Sequence, residues 1–295
     1  MKRHWLRKML VLSALGVLAA LAFVFYTGWE LAAPTPRIIG PPPQGFAAEA
    51  VHLPSGTGST LAGWLGRSTS EPVKGAVLLM HGIRSDRQSM VGRAKILVAH
   101  GYHTLCIDLQ AHGESPGEHI TMGHLESQNA AAALTYLRSQ SPGLPVVVIG
   151  SSLGGVAALE APYDAPPDAM IIEAVFSDVT TAVENRLEMR LGAPARVLSP
   201  LLTLQSKWLL GIDLAKISPV NAAARVRCPV LVIHGSLDRH AAISEGRAIF
   251  EHLAGPKEFW EVSGAAHVDL YKYAPAEYEE RVIKFIEAAL SDVSS

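Results

Sequence analysis

A serine flanked by two glycines directly follows an apolar run near the middle of the chain. The run Val146–Ile149 leads into Gly150-Ser-Ser152-Leu-Gly154, which has the spacing Gly-x-Ser-x-Gly. This pattern is typical of a strand that turns sharply into a helix and lifts the serine hydroxyl above the sheet edge in a strained backbone conformation. Ser152 is therefore the candidate nucleophile, and the alternative interpretation is an ordinary serine in a glycine-rich turn.

A serine hydroxyl is a weak nucleophile unless a base accepts its proton. His267 stands at the end of the loop Gly264-Ala-Ala-His267, which follows the strand-like run Phe259–Val262 near the end of the chain. The chain contains 12 histidines, so position and not residue type singles out this one. We predict that His267 is the general base.

An acid is expected to orient the imidazole and to stabilise its charged form. Asp238 follows the apolar run Val230–Ile233, the last such run before the one that leads to His267. Asp178, which follows the preceding run, is the second choice, and Asp269 is expected to point elsewhere. Asp238 is the predicted acid.

Two backbone amides are the candidate donors to an oxyanion, and neither has a side-chain signature. The N–H of Leu153 would lie at the N-terminus of the helix that follows Ser152, where the helix dipole favours negative charge. The loop His81-Gly82-Ile83 follows an earlier strand, and Gly82 lets the backbone approach closely. We therefore predict Ile83 and Leu153 as the oxyanion donors, with His81 bracing the loop.

Apolar runs of four to seven residues alternate with segments of helical length along most of the chain. The opening hairpin-like pair is Ala50–Leu53 and Leu61–Leu65, and the later runs are Ala76–Met80, Thr104–Ile107, Val146–Ile149, Ala169–Val175, Val230–Ile233 and Phe259–Val262. Continuous apolar strands separated by helices indicate a parallel sheet that is covered on both faces. The predicted fold class is α/β, with a mainly parallel central sheet and an antiparallel start.

Residues 178–224 interrupt this alternation and contain no clear strand. Apolar residues recur there near helical spacing, which predicts a small helical cap inserted into a domain that spans residues 47–295. A long connection packed flat on the sheet edge is the alternative. The charged residues of the insertion are interpreted as a solvated helix face or as an anchor for a substrate terminus; they include Glu184, Arg186, Glu188, Arg190 and Arg196.

The first 33 residues combine a basic leader with an apolar run, Met9–Tyr26, that is long enough to cross a bilayer. Positive charge before the run predicts a single-pass anchor with the N-terminus inside and the body outside. A signal peptide cleaved near Ala33, giving a secreted protein, is the first alternative, and a buried core helix is the second. The proline-rich residues 34–46 are predicted to form a stiff spacer.

Composition excludes several other classes of protein. The net charge is −2, and no cluster of lysine and arginine lies beyond the first eight residues, so we expect no nucleic-acid partner. No His-Glu-x-x-His motif and no tight cluster of histidine and cysteine points to a metal. The two cysteines, Cys106 and Cys228, are expected to be free.

Residues 47–290 resemble the α/β-hydrolase superfamily, in particular its serine aminopeptidase-like and prolyl-oligopeptidase-like branch with small membrane-anchored bacterial members. The matching segments are His81-Gly82, Asp108–Ser115, Gly150–Gly154, Ile217–Pro219, Cys228–Gly235 with Asp238, and Gly264–His267. The chain order Ser152, Asp238, His267 is also the order that this fold uses. Arg239-His240-Ala241 departs from the Val-Pro pair found after the acid in many relatives.

The resemblance implies hydrolysis of an ester, thioester, amide or peptide, without choosing among them. Our prediction is a serine hydrolase that cleaves a small or lipophilic ester or thioester through an acyl-enzyme, with no cofactor and no metal. Its expected partners are a lipid-like or small ester and the membrane. A serine peptidase or amidase with the same triad is the alternative, and a non-catalytic hydrolase-like binding protein is the third possibility.

Overall fold

The computed structural model describes residues 2–291; Met1 and residues 292–295, the ends of the predicted leader and body, lie outside it. The helices are α1 Lys2–Ala32, α2 Val91–Ala99, α3 His124–Gln140, α4 Leu153–Glu160, α5 Val179–Leu191, α6 Ser199–Leu209, α7 Pro219–Ala223, α8 Ile243–His252, α9 Leu270–Tyr273 and α10 Pro275–Ser291. Short 3₁₀ helices cover Arg87–Met90, Ala193–Leu198 and Leu214–Lys216. The strands are β1 Thr35–Pro36, β2 Ala48–Pro54, β3 Thr60–Gly66, β4 Gly75–Met80, β5 Tyr102–Ile107, β6 His112–Gly113, β7 Val146–Ser151, β8 Ala169–Glu173, β9 Val230–Gly235 and β10 Lys257–Val262.

The central sheet has eight strands in the order β2-β3-β5-β4-β7-β8-β9-β10. Strands β2 and β3 pair antiparallel, as do β3 and β5, and the pairs from β5 to β10 are parallel. Every residue of β4, β8 and β9 is buried, because helices cover both faces of the sheet. The predicted fold class, mainly parallel with an antiparallel start, is confirmed.

Alternate residues of each central strand enter two separate apolar cores. Leu78 and Met80 of β4 pack into the core under α3 and α4, whereas Val77 and Leu79 pack into the core under α2 and α10. This alternation follows from the two-residue period of a strand. Both cores hold the parallel strands in register, so their carboxyl ends meet at one edge of the sheet, where binding sites of open α/β sheets lie.

Helix α1 is long and apolar enough over His4–Ala32 to cross a membrane, a property that a signal sequence shares. Its C-terminal end packs against the body of the protein. The side chain of Gln205 in α6 donates a hydrogen bond to the Phe25 carbonyl (2.8 Å), and the Arg84 guanidinium donates to the Glu30 carbonyl. The apolar helix therefore ends next to the carboxyl edge of the sheet.

The stretch predicted as a stiff spacer pairs with the body. Strand β1 forms a short parallel ladder with β6, in which the Thr35 amide donates to the Ala111 carbonyl at 2.8 Å. Arg37 adds an ion pair with Asp86 at 2.8 Å. The chain between α1 and the sheet is thus held against the loops that follow β4 and β5.

Candidate active site

Ser152 occupies the turn between β7 and α4 in a strained conformation. Its φ of 49° and ψ of −110° lie where residues with a side chain are rarely found. A Cβ placed on Gly150 would lie 2.4 Å from the Gly154 carbonyl oxygen, and one on Gly154 would lie 2.4 Å from the Met80 carbonyl oxygen. Both positions accept only glycine, which explains the spacing of the motif.

Asp238 and His267 meet above the carboxyl ends of β9 and β10. The Nδ1 atom of His267 lies 2.6 Å from Oδ2 of Asp238. Oδ1 of Asp238 accepts the backbone amides of His240 (2.8 Å) and Ala241 (3.0 Å), so both carboxylate oxygens are held. The two loops are also joined directly, because the Leu237 amide donates to the Ala265 carbonyl at 2.8 Å.

The environment of Asp238 favours its ionised form. Burial alone raises the pKa of this carboxyl, but the hydrogen bond to His267, the charge of that imidazole and the backbone amide donors together hold the pKa below its ordinary value. An ionised carboxylate only accepts hydrogen bonds, so Nδ1 of His267 is the donor. In the neutral form of the imidazole, this bond leaves Nε2 unprotonated, as a general base requires.

The other two acids that the sequence offered are engaged elsewhere. Asp178 caps the N-terminus of α5, where its carboxylate accepts from the Thr181 amide and hydroxyl, each at 2.8 Å. Asp269 forms an ion pair with Arg93 at 2.8 Å. Neither carboxylate makes a hydrogen bond with His267 within residues 2–291.

Ser152 and His267 line the same cavity, which has a volume of about 590 Å³. The loop after β4, the end of α1 and one face of α5 complete its walls. The Ser152 hydroxyl forms no hydrogen bond within the described part of the chain. Catalytic hydrogen bonds in ligand-free enzymes commonly tighten only when substrate is bound.

The two amides predicted as oxyanion donors lie beside Ser152. Leu153 begins α4, and Ile83 lines the cavity. A Cβ on Gly82 would lie 3.4 Å from the Cβ of Ser152, which shows how closely this loop approaches the serine. Neither amide donates to an acceptor within residues 2–291, so both are available to a ligand.

His81 braces this loop as a neutral imidazole. Its Nε2 accepts the Leu109 amide at 3.1 Å, so Nδ1 carries the proton and donates to the Gly82 carbonyl at 2.7 Å. Burial lowers the pKa of His81 to about 4. The geometry fits the bracing role that the sequence analysis gave this residue, and it leaves neither ring nitrogen available as a base.

A buried charged cluster lies beneath the site, and sequence reasoning missed it. Glu173, at the end of β8, accepts two hydrogen bonds from Arg93 of α2 (2.9 and 2.6 Å) and one from the hydroxyl of Tyr278 in α10. The backbone carbonyl of Glu173 accepts the Ser152 amide at 2.7 Å. The one signal in the sequence was a lone carboxylate inside the apolar run Ala169–Val175, since its partners are distant in the chain.

Removing Glu173 is expected to destabilise the fold, because the buried charge of Arg93 would lose the carboxylate that pairs with it at 2.6 Å and would keep only the partly exposed ion pair with Asp269 and the Tyr278 hydroxyl. We expect Glu173→Ala to lower the free energy of unfolding by about 3–5 kcal/mol. Glu277→Ala, which breaks an exposed ion pair with Arg281, should cost less than about 1 kcal/mol. Thermal unfolding followed by tryptophan fluorescence compares the two variants, and equal shifts would show that the cluster is not a stabilising unit.

Metal binding has no candidate site in the described residues. Within residues 2–291, no group of three or more histidine, cysteine, aspartate or glutamate side chains is placed to hold an ion. Cys106 and Cys228 are both free, as the sequence analysis expected.

The fold is that of the α/β hydrolases. Residues 71–214 match the family described as serine aminopeptidase, S33. The esterase Pf2001 of Pyrococcus furiosus superposes with a TM-score of 0.72 at 21% identity, over 88% of this chain and 99% of the esterase. The resemblance to the α/β-hydrolase superfamily is confirmed.

Two curated relatives show how far the similarity of sequence extends. An uncharacterised protein of Bacillus subtilis, YqkD, is 22% identical over 80% of this chain and 78% of its own length. The lysophosphatidylserine lipase ABHD12 of Xenopus tropicalis is 24% identical over 64% of this chain and 48% of the lipase. The chain thus has the α/β-hydrolase fold and is similar in sequence to an uncharacterised bacterial protein and to a lipase.

Proposed function

We propose that this protein is a serine hydrolase that cleaves a carboxylic ester or thioester through an acyl-enzyme intermediate. The observation that carries the proposal is the 2.6 Å contact between Asp238 and His267, on the same cavity as a strained serine at a helix N-terminus. Ser152 and His267 face one cavity, and two free amides lie next to the serine. Acyl transfer needs this set of groups and requires no cofactor.

In the proposed reaction, Nε2 of His267 takes the proton of the Ser152 hydroxyl as the oxygen attacks the carbonyl carbon. The amides of Ile83 and Leu153 stabilise the oxyanion. His267 then gives its proton to the departing alcohol or thiol, which leaves an acyl group on Ser152. Water, deprotonated by the same imidazole, attacks the acyl carbon and releases a carboxylic acid, and the serine regains its proton.

The walls of the cavity favour a lipophilic ester. Leu31, from the last turn of α1, lines the cavity together with Ile83, Met90, Met189 and Val268. Because α1 is the candidate membrane span, an acyl chain that leaves the bilayer along this helix arrives beside Ser152. The names of a structural neighbour, an esterase, and of a relative, a lysophosphatidylserine lipase, agree with this substrate class.

A serine peptidase or amidase is the second candidate. The family described as serine aminopeptidase favours it, and so do the charged residues of α5, which offer an anchor for a peptide terminus. The same triad would serve both reactions, so substrate and not geometry separates them.

Purified full-length protein in a neutral detergent, assayed on matched panels of esters, thioesters and aminoacyl amides, tests the proposal. We expect turnover of esters or thioesters that is absent in Ser152→Ala. Exclusive turnover of amides would move the function to the second candidate. If Ser152→Ala keeps the activity of the wild-type protein, Ser152 is not the nucleophile.

We further propose that α1 is retained as an anchor, with its N-terminus inside and the catalytic body outside. Exposed apolar side chains of the 3₁₀ helix at residues 193–198 and of α6 support this placement. Val197, Leu204 and Trp208 are exposed, and α6 contacts α1 through the hydrogen bond from Gln205 to the Phe25 carbonyl. Aromatic and apolar residues at this level are typical of a membrane interface.

The expected result is that carbonate washing leaves the full-length protein in the membrane and that protease added from outside digests the body. A mature N-terminus near residue 34 would instead show cleavage of a signal peptide. Protection of the body until the membrane is permeabilised would show the reverse orientation.

A further inference from the structure

One face of α5 turns two arginines toward the proposed nucleophile. Arg186, Met189 and Arg190 are spaced three and four residues apart, which places them on the same side of the helix. All three line the cavity that contains Ser152 and His267. The cavity therefore combines a cationic wall with apolar surface.

These two arginines differ from Arg93, which also lines the cavity. Arg93 is neutralised by Glu173 and Asp269 at 2.6 and 2.8 Å. Arg186 has no carboxylate within ion-pair distance in the described part of the chain, and its Nη1 donates only to the Ala182 carbonyl, one turn earlier, at 2.9 Å. Arg190 has a loose contact with Glu30 at 3.8 Å.

The carboxylate of Glu245, which is near Arg186, is already occupied. Its oxygens accept from the Ala242 amide, the Asn185 side chain and the Ser177 amide at 2.7–3.0 Å. Arg186 therefore has guanidinium N–H groups that can donate to an anion. A guanidinium pairs well with a carboxylate or a phosphate.

Contacts of His240 place the arginines on the histidine side of the cavity. The ring of His240 lies 5.0 Å from that of His267, centroid to centroid. Burial, followed by the charges of His267 and Arg186, lowers the pKa of His240 against the opposing charge of Asp238, which disfavours the charged form of this ring. An anionic group held by the arginines would lie next to the leaving-group base.

We propose that Arg186 and Arg190 form an anion-binding subsite, so that the substrate is an amphiphile with an apolar acyl chain and a phosphate or carboxylate group. The claim about the substrate rests on the proposed ester hydrolysis. The claim that an anion binds here rests only on the geometry of α5. It also selects among esters, because a neutral ester of the same chain would leave the cationic wall unpaired.

Binding of hexyl phosphate, hexanoate and hexanol to Ser152→Ala, measured by calorimetry on the full chain in a neutral detergent, tests the subsite without catalysis. We expect an anion to bind and hexanol to bind much more weakly. Adding Arg186→Gln and Arg190→Gln should weaken binding of the anion about 10- to 100-fold. Comparing the affinities for hexyl phosphate and hexanoate shows whether the subsite prefers a phosphate or a carboxylate.

Arg196→Gln is the matched control, because Arg196 lies on the same cap but pairs with Glu188 at 2.8 Å and does not line the cavity. It should change binding of the anion less than about threefold. Equal binding of hexyl phosphate, hexanoate and hexanol, or equal losses in the control and in the double variant, would overturn the subsite.

Kinetics on two esters with the same acyl chain separates this inference from the proposed function. Arg186→Gln/Arg190→Gln should lower kcat/KM for oleoyl lysophosphatidate about 10- to 100-fold and leave monooleoylglycerol within about threefold. Equal losses on both esters would give the arginines a structural role instead. If the wild-type protein binds the anion but hydrolyses neither ester, the result would contradict the proposed hydrolase function and leave the proposed anion-binding subsite standing.

Discussion

Replacing His267 by Ala is expected to lower kcat on an ester substrate by about six orders of magnitude, close to 8 kcal/mol, because the loss of either member of a serine–histidine pair has about this effect in a well-characterised protease. The hydroxyl of Ser152 would then have no base. Binding of substrate should change little, since the cavity walls remain. Initial rates at saturating substrate measure the effect.

His240→Ala is the control for this prediction. His240 lies in the same cavity, with its ring 5.0 Å from that of His267, but only its backbone amide contacts Asp238. We expect a change in kcat of less than about tenfold, because no proton transfer depends on this side chain. If His267→Ala leaves kcat unchanged and His240→Ala is inactive, the general base is His240.

Asp238→Asn is expected to lower kcat by three to four orders of magnitude, about 4–5.5 kcal/mol, while the fold survives. An asparagine in this place favours the wrong imidazole tautomer and cannot stabilise the charged ring. The 2.6 Å contact between Asp238 and His267 is the physical reason for the size of the effect.

Asp178→Asn should change kcat by about tenfold or less, because this side chain caps α5 and asparagine is also a good cap. Circular dichroism and melting temperature should show that both aspartate variants stay folded. If Asp238→Asn leaves kcat unchanged and Asp178→Asn lowers it by orders of magnitude, the acid is Asp178, which follows β8.

The fold was accessible from the sequence because local signals agree with the tertiary structure. Continuous apolar runs predict buried parallel strands, and the predicted run Val146–Ile149 lies within β7. Order along the chain then predicts which loops meet, because the carboxyl ends of parallel strands share an edge. The choice of Asp238 over Asp178 came from this argument, and the structure places Asp238 against His267.

Features that depend on pairing between distant residues were not visible in the sequence. The cluster of Arg93, Glu173 and Tyr278 joins three elements whose separations in the chain carry no pattern. The ladder of β1 with β6 involves two residues on each side and uses backbone groups that any sequence has. The position of Leu31 in the cavity wall likewise depends on how α1 packs, which hydropathy does not encode.

Covalent labelling with a fluorophosphonate, followed by peptide mass spectrometry, tests the central claim most directly. The probe is attacked by an activated serine and does not require the natural substrate. We expect one modified residue, Ser152, with labelling abolished in Ser152→Ala and strongly reduced in His267→Ala, while Ser151→Ala still reacts. Labelling at Ser151 or at another serine, or full labelling of Ser152→Ala, would contradict the assignment of Ser152 as the nucleophile.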